Sequence, residues 1–418
     1  MNSGRPVTTG STTPEPSPSI AGGRLSPFVL LCVVGFLGRL SYEMLRSPIT
    51  SLFAKKIGAP TEIIGLLVAS VTITGIFVKL PSGSLADLFG FRRLMQAGLW
   101  VKATAPFLYL LIASWPLLLA IRFYHGLSTA LYAPAASAQV AKFYPRERGK
   151  RLGIYGAAEN AGVVLGPVLG ASVLAWSSFS VAFVVSGIIG ILALLAVMPL
   201  PKDDPPQGAR KSVGEITKGL VAGVRQIIGD PAIRLVSLME ATLYTGVGTL
   251  QAYLPLYALT RHISVAQIGL IFGGQGIASI VSRPFMGSAA DRLGRRPFVV
   301  LGVTLCAAVL VAIPFTGGFW PLFGLAILFG LGTGMVTPST TAMIGDLVKR
   351  GDFGAAMGVF GSLWDVGHAS GPLVAGVLIV WLGYQAAFAI IAAAIVVALA
   401  IFVLGSRDPK FGSKFGSK

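Results

Sequence analysis

Four carboxylates sit inside otherwise apolar stretches of this chain: Glu43, Glu159, Glu240 and Asp365. On insertion scales an ionisable side chain there costs at least about 2.5 kcal/mol, so such groups point to proton handling or ion pairing. Arg39, Glu43 and Arg46, spaced by four and three, share one helix face, with Tyr42 beside them. Glu159 lies ~13 Å from one end of its apolar run and Arg122, in the preceding run, ~20 Å from the same face, an axial gap that two long side chains can span. Asp365 has His368 one turn on, and Glu240 lies nearer its basic end. Desolvation raises a carboxylate's affinity for a proton and a nearby arginine lowers it. A cavity that changes those neighbours can therefore load and unload a proton. The expected proton sites are Glu159 with Arg122, then Glu43 with Arg39, then Asp365. A self-satisfied ion network that orders the helices is the competing reading.

A substrate would be met by aromatic and polar residues of the same runs: Phe36, Tyr42, Arg46, Tyr124, Tyr132, Tyr244, Gln251, Tyr253, Trp364 and His368. An apolar cavity suits amphipathic compounds, whereas the arginine-rich stripe leaves room for an anion.

The elements that position these residues follow from composition. Of 418 residues, 54% are hydrophobic and 12% charged, with mean hydropathy +0.77. Soluble proteins carry roughly 25% charged residues, so the reading is an all-α membrane protein. Twelve apolar segments are expected, at 27–53, 61–85, 94–113, 115–141, 150–176, 178–200, 233–260, 264–288, 297–317, 320–347, 353–380 and 384–405. They divide into a disordered N-terminus (1–26), a six-helix bundle (27–200), a polar linker (201–232), a second bundle (233–405) and a tail (406–418). Part of the linker, 212–228, reads as a surface helix. The net charge of +17 reflects basic loops rather than nucleic-acid binding: with both termini cytoplasmic, 24 of the 33 basic residues fall on the cytoplasmic side and only Lys55, Lys56 and Arg261 outside.

The halves repeat. Gly83-Ser-Leu-Ala-Asp87-Leu-Phe-Gly90-Phe-Arg92-Arg93 returns 204 positions later as Gly287-Ser-Ala-Ala-Asp291-Arg292-Leu-Gly294-Arg295-Arg296. Gly162-x-x-x-Gly166-Pro167-x-x-Gly170 returns as Gly367-x-x-x-Gly371-Pro372. Glycines let helices approach, and the prolines bend them. The Asp–Arg cluster can lock one side shut and release it. Parallel six-helix repeats place a binding site at their interface.

At these residues the chain resembles the major facilitator superfamily over about 27–405, and in particular its twelve-span drug–proton antiporters. The resemblance implies two pseudo-symmetric six-helix bundles, gating by the two Gly–Asp–Gly loops, and coupling through Arg122. The first loop copy departs from the family pattern at Leu88 and Phe91. The fifth-span glycine–proline signature points to export. The expected function is a proton-coupled exporter of small amphipathic compounds working by alternating access, with uptake of a nutrient or organic anion as the alternative. A receptor or scaffold role is disfavoured because the chain lacks a substantial soluble domain. No Ser–His–Asp grouping, metal motif or phosphate loop stands out, so neither an enzyme nor a cofactor is expected. The expected partners are protons, a small substrate and the bilayer, with no nucleic acid. The expected state is a monomer in a bacterial inner membrane.

Overall fold

The computed structural model describes residues 26–201, 229–348 and 353–406, and of residues 79–89 and 353–356 the backbone alone. The N-terminal stretch, nearly all of the linker with its expected surface helix, and the tail from 407 lie outside the described residues. Every regular element among the described residues is a helix, and there are twelve: α1 Pro27–Lys56, α2 Thr61–Phe89, α3 Phe91–Leu108, α4 Trp115–Phe143, α5 Arg148–Trp176, α6 Phe179–Val197, α7 Pro231–Thr260, α8 Val265–Leu293, α9 Arg295–Ala312, α10 Phe319–Leu347, and α11 (353–382) and α12 (384–405).

Helix starts are marked locally. Ser26, Ser178 and Asp230 accept from backbone N–H groups of the first turn, and Ser264 forms a reciprocal box with Gln267. Gly90, Gly294 and Gly383 take φ of +88°, +95° and +76°, which lets one span end and the next begin without a loop. Taking α11 and α12 as one segment, eight helices are long and apolar enough to cross a membrane. Those that fall short, α3, α4 and α7, carry Lys102, Arg122 and Glu240.

One helix departs from the expected straight span. In α1 a π-type turn covers Leu45–Ile49, with Ser47 extended (φ −150°, ψ 134°) before Pro48. Proline disfavours a helical residue before it and lacks the N–H the ladder needs. The Thr50 hydroxyl recovers one freed acceptor, donating to the Leu45 carbonyl at 2.5 Å.

The first six helices pack together, with α1 against α5 and α6, and α4 against α2 and α3. The last six do the same, with α7 against the α11–α12 segment and α10 against α8 and α9. Besides small contacts of α1 and α2 with α7 and of α1 with α8, two broad contacts join the groups: α2 with α11, and α5 with α8. Both are tight on the side away from the basic loops. There a Cβ on Gly65 of α2 would overlap the Pro372 carbonyl of α11, and one on Gly269 of α8 would overlap Ala171 of α5. Toward the basic side the pairs part: a Cβ on Gly153, Gly156, Gly358 or Gly361 would meet nothing within 4 Å. The apolar core follows the same division. Leu52, Phe53 and Leu67 share one cluster with the α7–α12 core, while Phe28, Leu94, Met95 and Val140, toward the basic side, form a cluster of their own.

The outer surface is apolar. Trp176, Trp320 and Trp381 are 89%, 76% and 81% exposed, all at helix ends on the side opposite the basic loops. Such a girdle fits a membrane–water interface.

Candidate substrate and coupling site

The kink in α1 places the charged stripe where the two groups of helices meet. Glu43 is 5% exposed, and one of its oxygens, Oε1, receives both Arg39 Nη2 at 2.9 Å and Arg46 Nη1 at 3.3 Å. Both guanidiniums flank the Tyr42 ring, 5.8 and 5.9 Å from its centroid. The stripe can sit so close to α5 because α5 is glycine-lined there. A Cβ at Gly162 would stand 2.9 Å from the Phe36 carbonyl, one at Gly166 2.5 Å from Glu43 Cβ, and Gly170 faces the Met44 carbonyl. The repeat works alike in the other half, where Gly367 and Gly371 meet the backbone of α7 at Ala241 and Thr245. Pro167 and Pro372 each lie inside a helix, α5 and α11, and each lends its carbonyl to an inter-group contact, Pro167 with Gly269 and Pro372 with Gly65.

Arg46 continues the network across the interface. Its Nη2 lies 2.9 Å from His368 Nε2 in α11, and Gln251 of α7 approaches the same nitrogen at 3.0 Å. Thr72 of α2 approaches His368 Nδ1 at 3.3 Å. A guanidinium only donates. Nε2 therefore accepts from Arg46, and the Gln251 side-chain oxygen lies beside the same nitrogen. Ser47, freed by the kink, donates to the Gln251 carbonyl at 3.0 Å. Tyr244 lies 6.3 Å from the His368 ring and 4.4 Å from Trp364, which is 38% exposed. A charged wall on α1 thus runs into an aromatic wall on α7 and α11. Asp365, buried at 8% exposure, is a charged neighbour of Arg46.

The expected pairing of Glu159 with Arg122 is not built. Arg122 is 1% exposed; its Nε donates to the Leu67 carbonyl at 2.9 Å, Nη2 to the Val68 carbonyl at 3.2 Å and Nη1 to Thr50 Oγ1 at 3.2 Å. It therefore ties α4 to α2 and to the kink of α1. Axial depth matched the two residues, but the rotation of α4 turns Arg122 toward α2. Glu159 is instead partly exposed beside Gly35 of α1, near Tyr155. Glu240 is fully enclosed and accepts from Thr340 of α10 at 2.6 Å, its other oxygen having no partner.

Three residues expected to line a cavity lie elsewhere. Tyr132 is 1% exposed and accepts from the Tyr155 hydroxyl at 3.1 Å inside the first bundle. Tyr253, fully buried, donates to the Thr61 carbonyl at 2.9 Å and seals the closed side. Tyr124 pairs with Thr104 of α3 at 2.7 Å. Phe36 is partly exposed on α1.

The loop motifs differ between halves. In the second, Arg295 bonds Asp291 at 3.0 Å and also Asp346 at the end of α10, and Arg296 donates to the Val403 carbonyl at 3.0 Å. Gly287 faces only Pro338 of its own half. In the first, Arg92 donates to the Met198 carbonyl at 2.6 Å and Arg93 is exposed, while the side chains around Gly83 and Asp87 lie outside the described residues. The described links all stay within one half.

Thr72, Thr340 and Asp346 had no signal in the sequence, being ordinary helix residues until a neighbour is brought to them. Lys102 did: a lysine in an apolar run.

A family model described as Major Facilitator Superfamily matches residues 31–263 and 236–417. An uncharacterized MFS-type transporter of Methanocaldococcus jannaschii is 22% identical over 359 residues, covering 85% of this chain and 89% of that protein. The quinolone resistance protein NorA of Staphylococcus aureus is 23% identical over 335 residues, covering 79% and 84%. Among solved structures, a bacterial homolog of the human lysosomal transporter Spinster, inward-facing and unoccupied, superposes with TM-score 0.76 at 15% identity over 93% of this chain and 97% of that one. The nucleoside transporter NupG gives 0.77 at 14% identity over 91% and 99%. With twelve spans in two repeated bundles, a buried ion network where they meet and a family match over nearly the whole chain, this protein belongs to the Major Facilitator Superfamily and is a multi-pass membrane transporter rather than an enzyme.

Proposed function

We propose that the chain is a proton-coupled exporter of small amphipathic organic compounds, working as a monomer by alternating access. The observation that carries this reading is the Arg39–Glu43–Arg46 stripe. It is largely buried, reaches both halves through His368 and Gln251, and stands where the bundles meet on one side and part on the other. Substrate entering from the open, basic side meets the Arg46 and Trp364 walls. Its departure on the other side requires the Gly65–Pro372 and Gly269–Ala171 contacts to open while the Gly153/Gly156 and Gly358/Gly361 faces come together. The proposed proton sites are Glu159 first, Glu43 with Arg39 second and Asp365 third, with Glu240 as a fourth. The division into bundles at 27–200 and 233–405, joined by the 201–232 linker, is part of the proposal, as are the inner-membrane location with cytoplasmic termini and the gating role of the loop motifs. The likeness to NorA favours export and a drug-like cargo.

The test is flux in liposomes loaded with ethidium under an imposed pH gradient. Export predicts gradient-accelerated ethidium movement from the basic-loop side with counterflow of protons. Flux indifferent to the gradient overturns the coupling. The second reading, uptake of an organic anion, draws on Arg39, whose Nε is buried without a partner. It predicts anion and proton moving in the same direction.

A further inference from the structure

Behind the Arg39–Glu43 pair lies a cation that the carboxylate scheme leaves unused. Lys102 of α3 is 2% exposed. Its Nζ lies 4.4 Å from the ring centroid of Tyr132 in α4 and 3.4 Å from where a Cβ on Gly38 of α1 would stand. Among the described residues no carboxylate oxygen comes within the 4.0 Å of an ion pair. Its charged neighbours are Arg39 and Glu43 from α1 and Glu159 from α5. His125 faces it from α4 alongside Tyr132. Tyr155 of α5 is reached through the Tyr132 hydroxyl. From α6 the approach is by backbone, with Gly190 against the Lys102 carbonyl.

A buried ammonium is costly unless a carboxylate is held against it, whereas a neutral amine is not. Several of the other buried ionisable groups are already engaged. Glu43 is held by two guanidiniums, Arg46 and Arg122 cannot lose a proton, and Glu240 accepts a hydroxyl. Glu159 is partly exposed. Lys102 is an enclosed base whose charged neighbours, Arg39, Glu43 and Glu159, sit on α1 and α5, helices that contact the other half.

We propose that Lys102 carries the exchanged proton, with Glu159 as its passage to the vestibule; this deepens the antiport reading and rests on it. In each cycle a proton from water on one side binds the Nζ lone pair to give the ammonium, and the same proton leaves through Glu159 to water on the other side. No covalent bond to cargo forms and nothing is oxidised. A small approach of Glu159 toward Nζ favours the charged form, and a substrate drawn to Arg39 and Glu43 shifts that balance.

The experiment compares the full-length wild-type chain with Lys102→Arg, Lys102→Gln and Lys102→His in ethidium-loaded liposomes, with and without a pH gradient, and reads downhill ethidium equilibration alongside. Lys102→Arg keeps a charge but does not titrate. It and Lys102→Gln are expected to lose gradient-driven acceleration at least tenfold relative to each variant's own downhill ethidium equilibration. Lys102→His, which restores a titrating base, is expected to regain gradient-driven flux with a pH profile displaced to acid. Gradient-driven flux retained in Lys102→Arg overturns the proposal, and so does a Lys102→His profile that coincides with wild type. If Lys102→Arg fails to fold, the Lys102→His profile decides. Absence of gradient-driven flux in the wild type is a separate outcome and overturns the antiport reading itself.

Discussion

At the scale of single residues, the buried charges sort by what they touch. Glu43 pairs with two arginines through one oxygen, leaving the stripe at net +1, so Glu43→Gln leaves both guanidiniums short of a partner. The expected cost is on the order of 1–3 kcal/mol, read as a lower thermal unfolding midpoint in detergent; an unchanged midpoint would mean that the pairs add nothing. Arg122 is the opposite case, a cation satisfied by two carbonyls and a hydroxyl. An ammonium cannot reproduce that fan of donors. Arg122→Lys should therefore lower stability by about 2 kcal/mol while transport per folded molecule stays within threefold of wild type. A specific loss of pH-driven flux without loss of stability would return Arg122 to the coupling role that the family resemblance suggests. The arginines and acids were visible in the sequence as charges in apolar runs. Their partners were not, because a helical period fixes which residues share a face but not which neighbour that face meets.

At the scale of helices, glycine decides where backbones touch. The α2–α11 and α5–α8 contacts on the closed side have no room for a Cβ at Gly65 or Gly269. Gly65→Leu is expected to open that side and to cut transport at least tenfold. The check is increased reactivity of a cysteine placed at Thr61 toward an impermeant thiol reagent. On the basic side, Gly153→Leu and Gly156→Leu meet open space and should leave the melting midpoint unchanged. By alternating access they should still block transport, because those faces must meet in the other state. Normal transport by both variants would place the moving contacts elsewhere. The repeat of Gly162 and Gly166 as Gly367 and Gly371, at an offset of 205, was legible in the chain and marked close-packed helices. The kink at Leu45–Ile49 was overlooked although Pro48 stood in plain view, because the apolar run continues through it.

At the scale of the molecule, the charge asymmetry and the exposed Trp176, Trp320 and Trp381 set how the protein sits in a bilayer. With the termini inside, a Gly317→Cys variant in intact cells should react with an impermeant maleimide, and Gly149→Cys only after permeabilisation. Both positions are free of contacts, so neither change should disturb the fold. The reverse labelling pattern would invert the orientation and, with it, the direction of the proposed export.

The chain by itself determined that there are twelve helices, that they come in two related sets, and that the basic loops fall together at one end of them, because length, hydropathy and repeat offset are properties of the linear order. Only the tertiary structure decided the company each charge keeps. Leu67 and Val68 offer carbonyls to Arg122, and His368 reaches Arg46, once α2 lies against α4 and α11 against α2. Those contacts depend on the relative rotation of packed helices, which is set by side-chain fit across more than fifty residues of intervening chain and is written in no local pattern.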